Sequence, residues 1–146
     1  MPAPAEVQAA TLDRFIESWR RWSPDDFLAT WSEDLNFTTL PFSFGKPTRA
    51  RPQLEPRYRL LMSTLKNLEL TVHNVVHDTA NSKAAIYALV KADTDFGPYE
   101  NEQAVFIAFD ESGEKVNKIE EMNDTAFRQV WDPKYYEHIG WGQPPK

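Results

Sequence analysis

The chain has 146 residues, enough for one hydrophobic core, and 41% hydrophobic with 13% aromatic content places it among globular proteins. Sixteen basic against 22 acidic residues leave a net charge of -6, which argues against nucleic acid and anionic membranes as partners, since both demand a basic surface. With no cysteine there is no disulfide framework, thiol nucleophile or thiolate metal site, and the chain is compatible with a reducing compartment.

The amino terminus, MPAPAEVQAATLDRF, lacks a basic segment followed by an apolar run, and no stretch approaches the roughly 20 apolar residues of a membrane span. The expectation is a soluble, cytoplasmic protein forming one domain over 1–146, with frayed ends at about 1–6 and 140–146. From about Val7 to Trp22, Leu12, Phe15, Ile16 and Trp19 recur at helical spacing and predict an amphipathic helix. Ser23-Pro24-Asp25-Asp26 supplies a cap, a first-turn proline and two acids for a second helix through Phe27, Leu28 and Trp31, stopping near Glu33. Leu35 to Leu40 reads as a strand ended by Pro41, and PFSFGKPTRARP as a long loop.

A third helix is predicted from about Pro52 to Leu65, with Leu54, Tyr58, Leu61, Met62 and Leu65 on one stripe. Strands follow from Leu68 to His77 and from Lys83 to Thr94, then a ribbon from Gly97 to Asp124 that turns at Gly113. Thr125 to Glu137 carries Phe127, Val130, Trp131 and Tyr135 and reads as a short helix or docked tail broken at Asp132-Pro133. Helices first and antiparallel strands afterwards indicate an α+β domain, a bent sheet over three amino-terminal helices that leaves a pocket.

The ribbon carries the chemistry. Strand parity puts Tyr99, Asn101, Gln103 and Val105 on one face and Glu100 and Glu102 on the other, and Glu121 on the return strand meets the tyrosine face. A carboxyl facing a partly apolar pocket has its pKa raised by desolvation, which suits Glu121 to general acid–base work; the alternative is a solvated strand glutamate. Tyr99 is either a donor to a developing oxyanion or a residue closing the turn before it. Gln103 and Asn101 can orient a substrate without moving protons. Trp31 and Phe37 are either an aromatic wall for a flat substrate or simply core. Tyr87 and Lys91 share a strand face, with Lys91 a candidate charge partner for Glu121 or a side chain reaching solvent. His73 and His77, four apart, read as sharing a face; a metal would need a third ligand that no motif supplies, while His73 can serve acid–base chemistry, a dimer contact or solvent. Arg49, Arg51, Arg57 and Arg59 read as a solvated face or subunit contact.

Asp25-Asp26, Trp31-Ser32-Glu33-Asp34, Leu40-Pro41, Thr71-Val72-His73, Ala92-Asp93-Thr94, Gly97-Pro98-Tyr99, Asn101-Glu102, Phe109 to Gly113 and Glu120-Glu121 with Asp124 together resemble the SnoaL-like branch of the NTF2-like superfamily. The resemblance is greater to small fungal proteins of secondary metabolism. It implies a cone-shaped, often dimeric domain whose pocket performs cofactor-free acid–base chemistry. The reactions it implies are isomerisation, cyclisation or semipinacol-type rearrangement of polycyclic polyketide, terpenoid or alkaloid intermediates. The resemblance implies, for the rearranging relatives, a site of an arginine at the end of the second helix, two tyrosines four apart on the ribbon's first strand and a glutamate on its second strand. Tyr99 and Glu121 match it here, whereas Gln103 stands at the second tyrosine position and Trp31 at the arginine position.

The expected function is therefore a cofactor-independent isomerase or cyclase acting on a polycyclic small molecule, as a homodimer, with Glu121 moving the proton and Tyr99 stabilising charge. A dehydratase or hydrolase using a histidine, and a non-catalytic small-molecule-binding module, are the alternatives.

Overall fold

A computed structural model describes residues 1–140; the stretch 141–146, part of the carboxy-terminal end expected to fray, lies outside them. Helix α1 spans Ala5–Arg21 and buries Leu12, Phe15 and Trp19, the stripe that the spacing predicts. It starts two residues early because the Pro4 carbonyl accepts from the amides of Val7 and Gln8, both at 3.1 Å. Gln8 and Thr11 are fully buried beside that stripe, and both are hydrogen-bonded, as buried polar groups must be. Gln8 Nε2 donates to the Ala3 carbonyl at 2.8 Å and Thr11 Oγ1 to the Gly113 carbonyl at 2.6 Å. Gly113 is required there. Its φ is +76°, and a Cβ would lie 2.5 Å from that of Ala3.

Helix α2 covers only Pro24–Leu28 and strand β1 begins at Trp31, so the helix expected to run to Glu33 ends five residues short. Two hydrogen bonds account for this: Thr30 Oγ1 turns back to the Phe27 carbonyl at 2.7 Å, and the Thr30 carbonyl accepts from Val116 N at 2.8 Å. The sheet captures the chain before the helix can continue. Strand β1 spans Trp31–Leu40, and the expected loop contains a 3-10 turn, Phe42–Phe44, and a two-residue strand β2, Arg49–Ala50. Helix α3, Arg51–Thr64, precedes β3 (Lys66–Asp78), β4 (Lys83–Asp93), β5 (Tyr99–Phe109) and β6 (Val116–Asn123).

Among the described residues six strands form one open mixed sheet in the order β2-β1-β6-β5-β4-β3, in which only β1 and β6 run parallel. Its concave face packs on the helices around Phe15, Leu28, Trp31, Leu35 and Ile86, each no more than 1% exposed. Burying side chains of this size is worth about 1.5–3 kcal/mol apiece.

Helix α4, Thr125–His138, is a fourth helix and is continuous through Pro133, contrary to the break expected at Asp132-Pro133. Asp124 caps it, accepting from Phe127 N at 3.2 Å. The turn around the proline is held from its sides: Arg128 grips Asp132 one turn on, and Trp131 stacks on Tyr135 at 4.9 Å. No helix among the described residues is long and apolar enough to cross a membrane.

Candidate active site

Between the concave sheet face and helices α1, α3 and α4 lies a cavity of about 150 Å³. Phe37 of β1, Val90 of β4, Tyr99 and Gln103 of β5 and Glu121 of β6 supply its sheet wall. Trp19 and Trp22 come from α1, Tyr58 and Arg57 from α3, and Arg128, Trp131 and Tyr135 from α4. Glu121 also borders a small void behind Phe37 and Tyr58, which puts it towards the closed end.

The β5–β6 ladder aligns these groups. Val105 stands opposite Glu121 and Gln103 opposite Asn123, so the inward parity of Val105 carries over to the glutamate. Asn123 Oδ1 is the hub: it accepts from Asn101 Nδ2 at 2.8 Å, Arg128 Nη1 at 3.0 Å and Gln103 Nε2 at 3.4 Å. Gln103 Nε2 also lies 3.4 Å from Glu121 Oε1. Asn101 Nδ2 donates to the Tyr99 hydroxyl at 3.0 Å. The phenol oxygen acts there as acceptor, leaving its own proton for the cavity.

Burial pushes the Glu121 carboxyl above its ordinary pKa, against the opposing pull of the Arg128 charge and the Asn123 amide. Burial likewise raises the Tyr99 phenol to about 12, and Tyr58 well above the usual tyrosine value with the Glu121 charge adding to it. Both phenols are therefore donors at any physiological pH. Arg128 is fixed by a two-pronged ion pair, Nε to Asp132 Oδ1 at 2.5 Å and Nη2 to Oδ2 at 3.0 Å. Trp131 Nε1, buried in the cavity wall, has no hydrogen-bond partner among the described residues and is a donor available to a bound molecule.

The structure brings together Glu121, Tyr99, Gln103 and Phe37 of the predicted set. Asn101 is fully buried but off the wall, where it holds Tyr99 and Asn123 instead of touching the cavity. Trp31 belongs to the core behind the wall, its ring 5.4 Å from Tyr58 and 5.8 Å from Phe27. Tyr87, Lys91 and His73 lie on the opposite, outer face of the sheet. Tyr87 OH donates to Glu102 at 3.0 Å, Lys91 faces Glu100 at 3.9 Å rather than Glu121, and the His73 ring sits 5.9 Å from Tyr87. The expectation that His73 and His77 share a face fails because β3 slips register between Val72 and Asn74, a bulge that reverses parity beyond it. His77 accordingly points inward, against Phe109 and Gln8. No cluster of metal-ligating residues exists among the described residues.

Sequence reading missed Tyr58, Arg128 and Trp131 as wall residues. One signal was present: Arg128, Trp131, Asp132 and Tyr135 fall on a single helical face, an ion pair embedded in an aromatic stripe.

The chain is 54% identical over 145 residues to an ergochrome gene cluster protein of Claviceps purpurea, covering 99% of this chain and 95% of the relative. It is 55% identical over 139 residues to the proteins named monooxygenase nsrQ of Aspergillus novofumigatus and monooxygenase AacuP of Aspergillus aculeatus. The alignment covers 95% of this chain and 92% and 96% of those relatives, respectively. The chain belongs to this fungal gene-cluster family. No general protein-family model matches it. Among solved structures, the BvnE pinacolase of Penicillium brevicompactum superposes with a TM-score of 0.82 at 20% identity, over 91% of this chain and 93% of its own. AusH of Aspergillus nidulans superposes with a TM-score of 0.77 at 22% identity, over 95% of this chain and 98% of its own. These likenesses establish the SnoaL-like, NTF2-like fold for this member of the fungal family.

Proposed function

We propose that the protein is a cofactor-independent isomerase or cyclase that rearranges a polycyclic natural-product intermediate by general acid–base catalysis. The observation that carries this reading is the Glu121 carboxyl, desolvated in the wall of an aromatic cavity that phenol and indole donors also line. As carboxylate, Glu121 takes a proton from a carbon beside a carbonyl. The electron pair moves onto the carbonyl oxygen, where Tyr99 O–H and Trp131 Nε1–H can stabilise the enolate. Protonated Glu121 then returns the proton to a different carbon, or the enolate carbon closes a ring onto an internal electrophile. Gln103 steadies the carboxylate between these steps. The pinacolase name of the BvnE structure, a protein of the same fold, is consistent with rearrangement chemistry.

The names of several relatives favour a second reading, monooxygenation. The same enolate can react with dioxygen: a C–O bond forms, dioxygen is reduced to a bound hydroperoxide, and loss of water leaves a new carbonyl. Incubation with pathway intermediates under labelled dioxygen separates the two. An isobaric product without label supports the isomerase, a labelled and heavier product supports oxygenation, and unaltered ligand that remains bound supports a binding module.

We further propose that the protein works as a cytoplasmic homodimer. Its outer sheet face exposes Val76, Tyr87, Phe106 and Met122 among lysines and glutamates of both signs, a surface able to complement a second copy of itself. Phe106→Glu is expected to give a monomer by light scattering, and a wild type that is already monomeric would refute the dimer.

A further inference from the structure

The four clustered arginines of the sequence divide in space. Arg51 turns away from the cavity, with Nη1 on the Trp31 carbonyl at 2.6 Å and Nε on Glu55 at 3.2 Å. Arg59 is likewise occupied, by Asp25 at 2.9 Å and Glu55 at 3.5 Å. Arg49 and Arg57 instead line the cavity, and Lys46 joins them from the loop before β2. Lys46 Nζ rests 5.4 Å from the Phe44 ring and 5.6 Å from the Tyr136 ring. Among the described residues, neither Lys46 nor Arg49 has a carboxylate within ion-pair distance.

Among the described residues the cavity wall thus carries Lys46, Arg49, Arg57 and Arg128 against one carboxylate, Glu121, in a chain whose net charge is -6. Arg128 is neutralised by Asp132, which leaves Lys46 and Arg49 as the cations of the wall without a carboxylate at ion-pair distance among the described residues. Lys46 and Arg49 are only partly enclosed by the protein and mark the mouth, while Glu121 is enclosed more deeply and borders the void behind Phe37 and Tyr58. Burial depresses the Lys46 pKa, against the pull of the Asp132 charge and with smaller contributions from Arg128, Arg49 and Arg57, and burial followed by Arg57 depresses that of Arg49, so a bound anion would favour both cations.

We propose that this site takes a polycyclic aromatic anion, with its carboxylate or ionised phenol oxygen held at the mouth by Lys46 and Arg49 and its fused rings between the aromatic walls. This specifies the substrate class of the reading given above and rests on it. Half-buried cations are screened less than surface ones, and a guanidinium matches a carboxylate with paired donors. The mouth would therefore fix which end of a flat molecule enters first, delivering the uncharged end to Glu121.

The test is equilibrium binding followed by quenching of the cavity tryptophans, with two matched probe pairs: an anthraquinone carboxylate against its methyl ester, and a hydroxyanthraquinone against its methyl ether above the phenol pKa. At least one anion is expected to bind about tenfold tighter than its neutral partner, equivalent to about 1.4 kcal/mol. The preferred pair identifies which oxyanion is read. Lys46→Gln with Arg49→Gln, and Lys46→Gln alone should the double variant fold poorly, are expected to reduce the preference to about twofold or less. Equal binding within both pairs, no binding by any probe, or a preference that survives Lys46→Gln with Arg49→Gln would overturn the proposal. The charge preference is read by equilibrium binding to the wild type and the mouth variants, and proton transfer by turnover of Glu121→Gln, so failure here is separable from failure of the acid–base mechanism.

Discussion

The Gln103 amide nitrogen lies 3.4 Å from both Glu121 Oε1 and Asn123 Oδ1, spanning β5 to β6 and tying the candidate base to the network that also holds Tyr99. The neutral amide thus becomes a brace for the carboxylate. Its donor favours the charged form of Glu121, while burial favours the neutral one.

That balance sets a pH dependence. Burial raises the Glu121 pKa above 4.5, so the carboxylate base is lost as pH falls through the raised value, and kcat/KM should decline on the acid side with a midpoint above 4.5. The stability effect has the opposite sense. A folded-state pKa above the unfolded one gives stability that is present below the unfolded value and lost as pH rises through the folded value. Glu121→Gln should therefore raise Tm at neutral pH by a few degrees and leave it unchanged near pH 4. Thermal melts across pH check this, and a lower Tm for the variant at neutral pH would count against a strained carboxylate.

Tyr99 should act as a donor throughout the physiological range. Its phenol, raised to about 12 by burial, stays protonated well beyond the point where an exposed tyrosine ionises. Tyr99→Phe is expected to lower kcat about 100-fold with little change in KM, the loss typical of removing one oxyanion donor. Ultraviolet titration of the wild type should show one fewer phenolate near pH 10 than the variant comparison would demand were Tyr99 exposed.

Arg128 and Asp132 make a structural prediction. Their side chains are 18% and 7% exposed and form a two-pronged pair, so Asp132→Ala strands a cation and should cost about 3–5 kcal/mol in urea unfolding. Replacing both, Arg128→Met with Asp132→Leu, should cost markedly less, because no uncompensated charge remains. Equal losses in the two variants would contradict the pairing argument.

Much of this site is legible along the chain, for a specific reason. No bulge interrupts β5, and the irregularity in the β5–β6 ladder falls before Ile119, so simple alternation carries Tyr99, Gln103 and Glu121 to one face. In β3 the same arithmetic fails at His73, because nothing in Val72-His73-Asn74 announces an extra residue in the ladder. Trp31 is misplaced for a different cause. Its helix-like spacing from Phe27 and Leu28 is overridden when Val116 pairs with the Thr30 carbonyl, a contact from a residue far along the chain. The cationic mouth is hidden likewise: alternate arginines near α3 look equivalent until Glu55 and Asp25 claim Arg51 and Arg59.

The central claim is that Glu121 moves the proton, and the most direct measurement is single-turnover conversion of the pathway substrate by Glu121→Gln alongside its binding affinity. A loss of at least about 100-fold in the rate with affinity held within a few-fold is the predicted result. Full turnover by Glu121→Gln would contradict it.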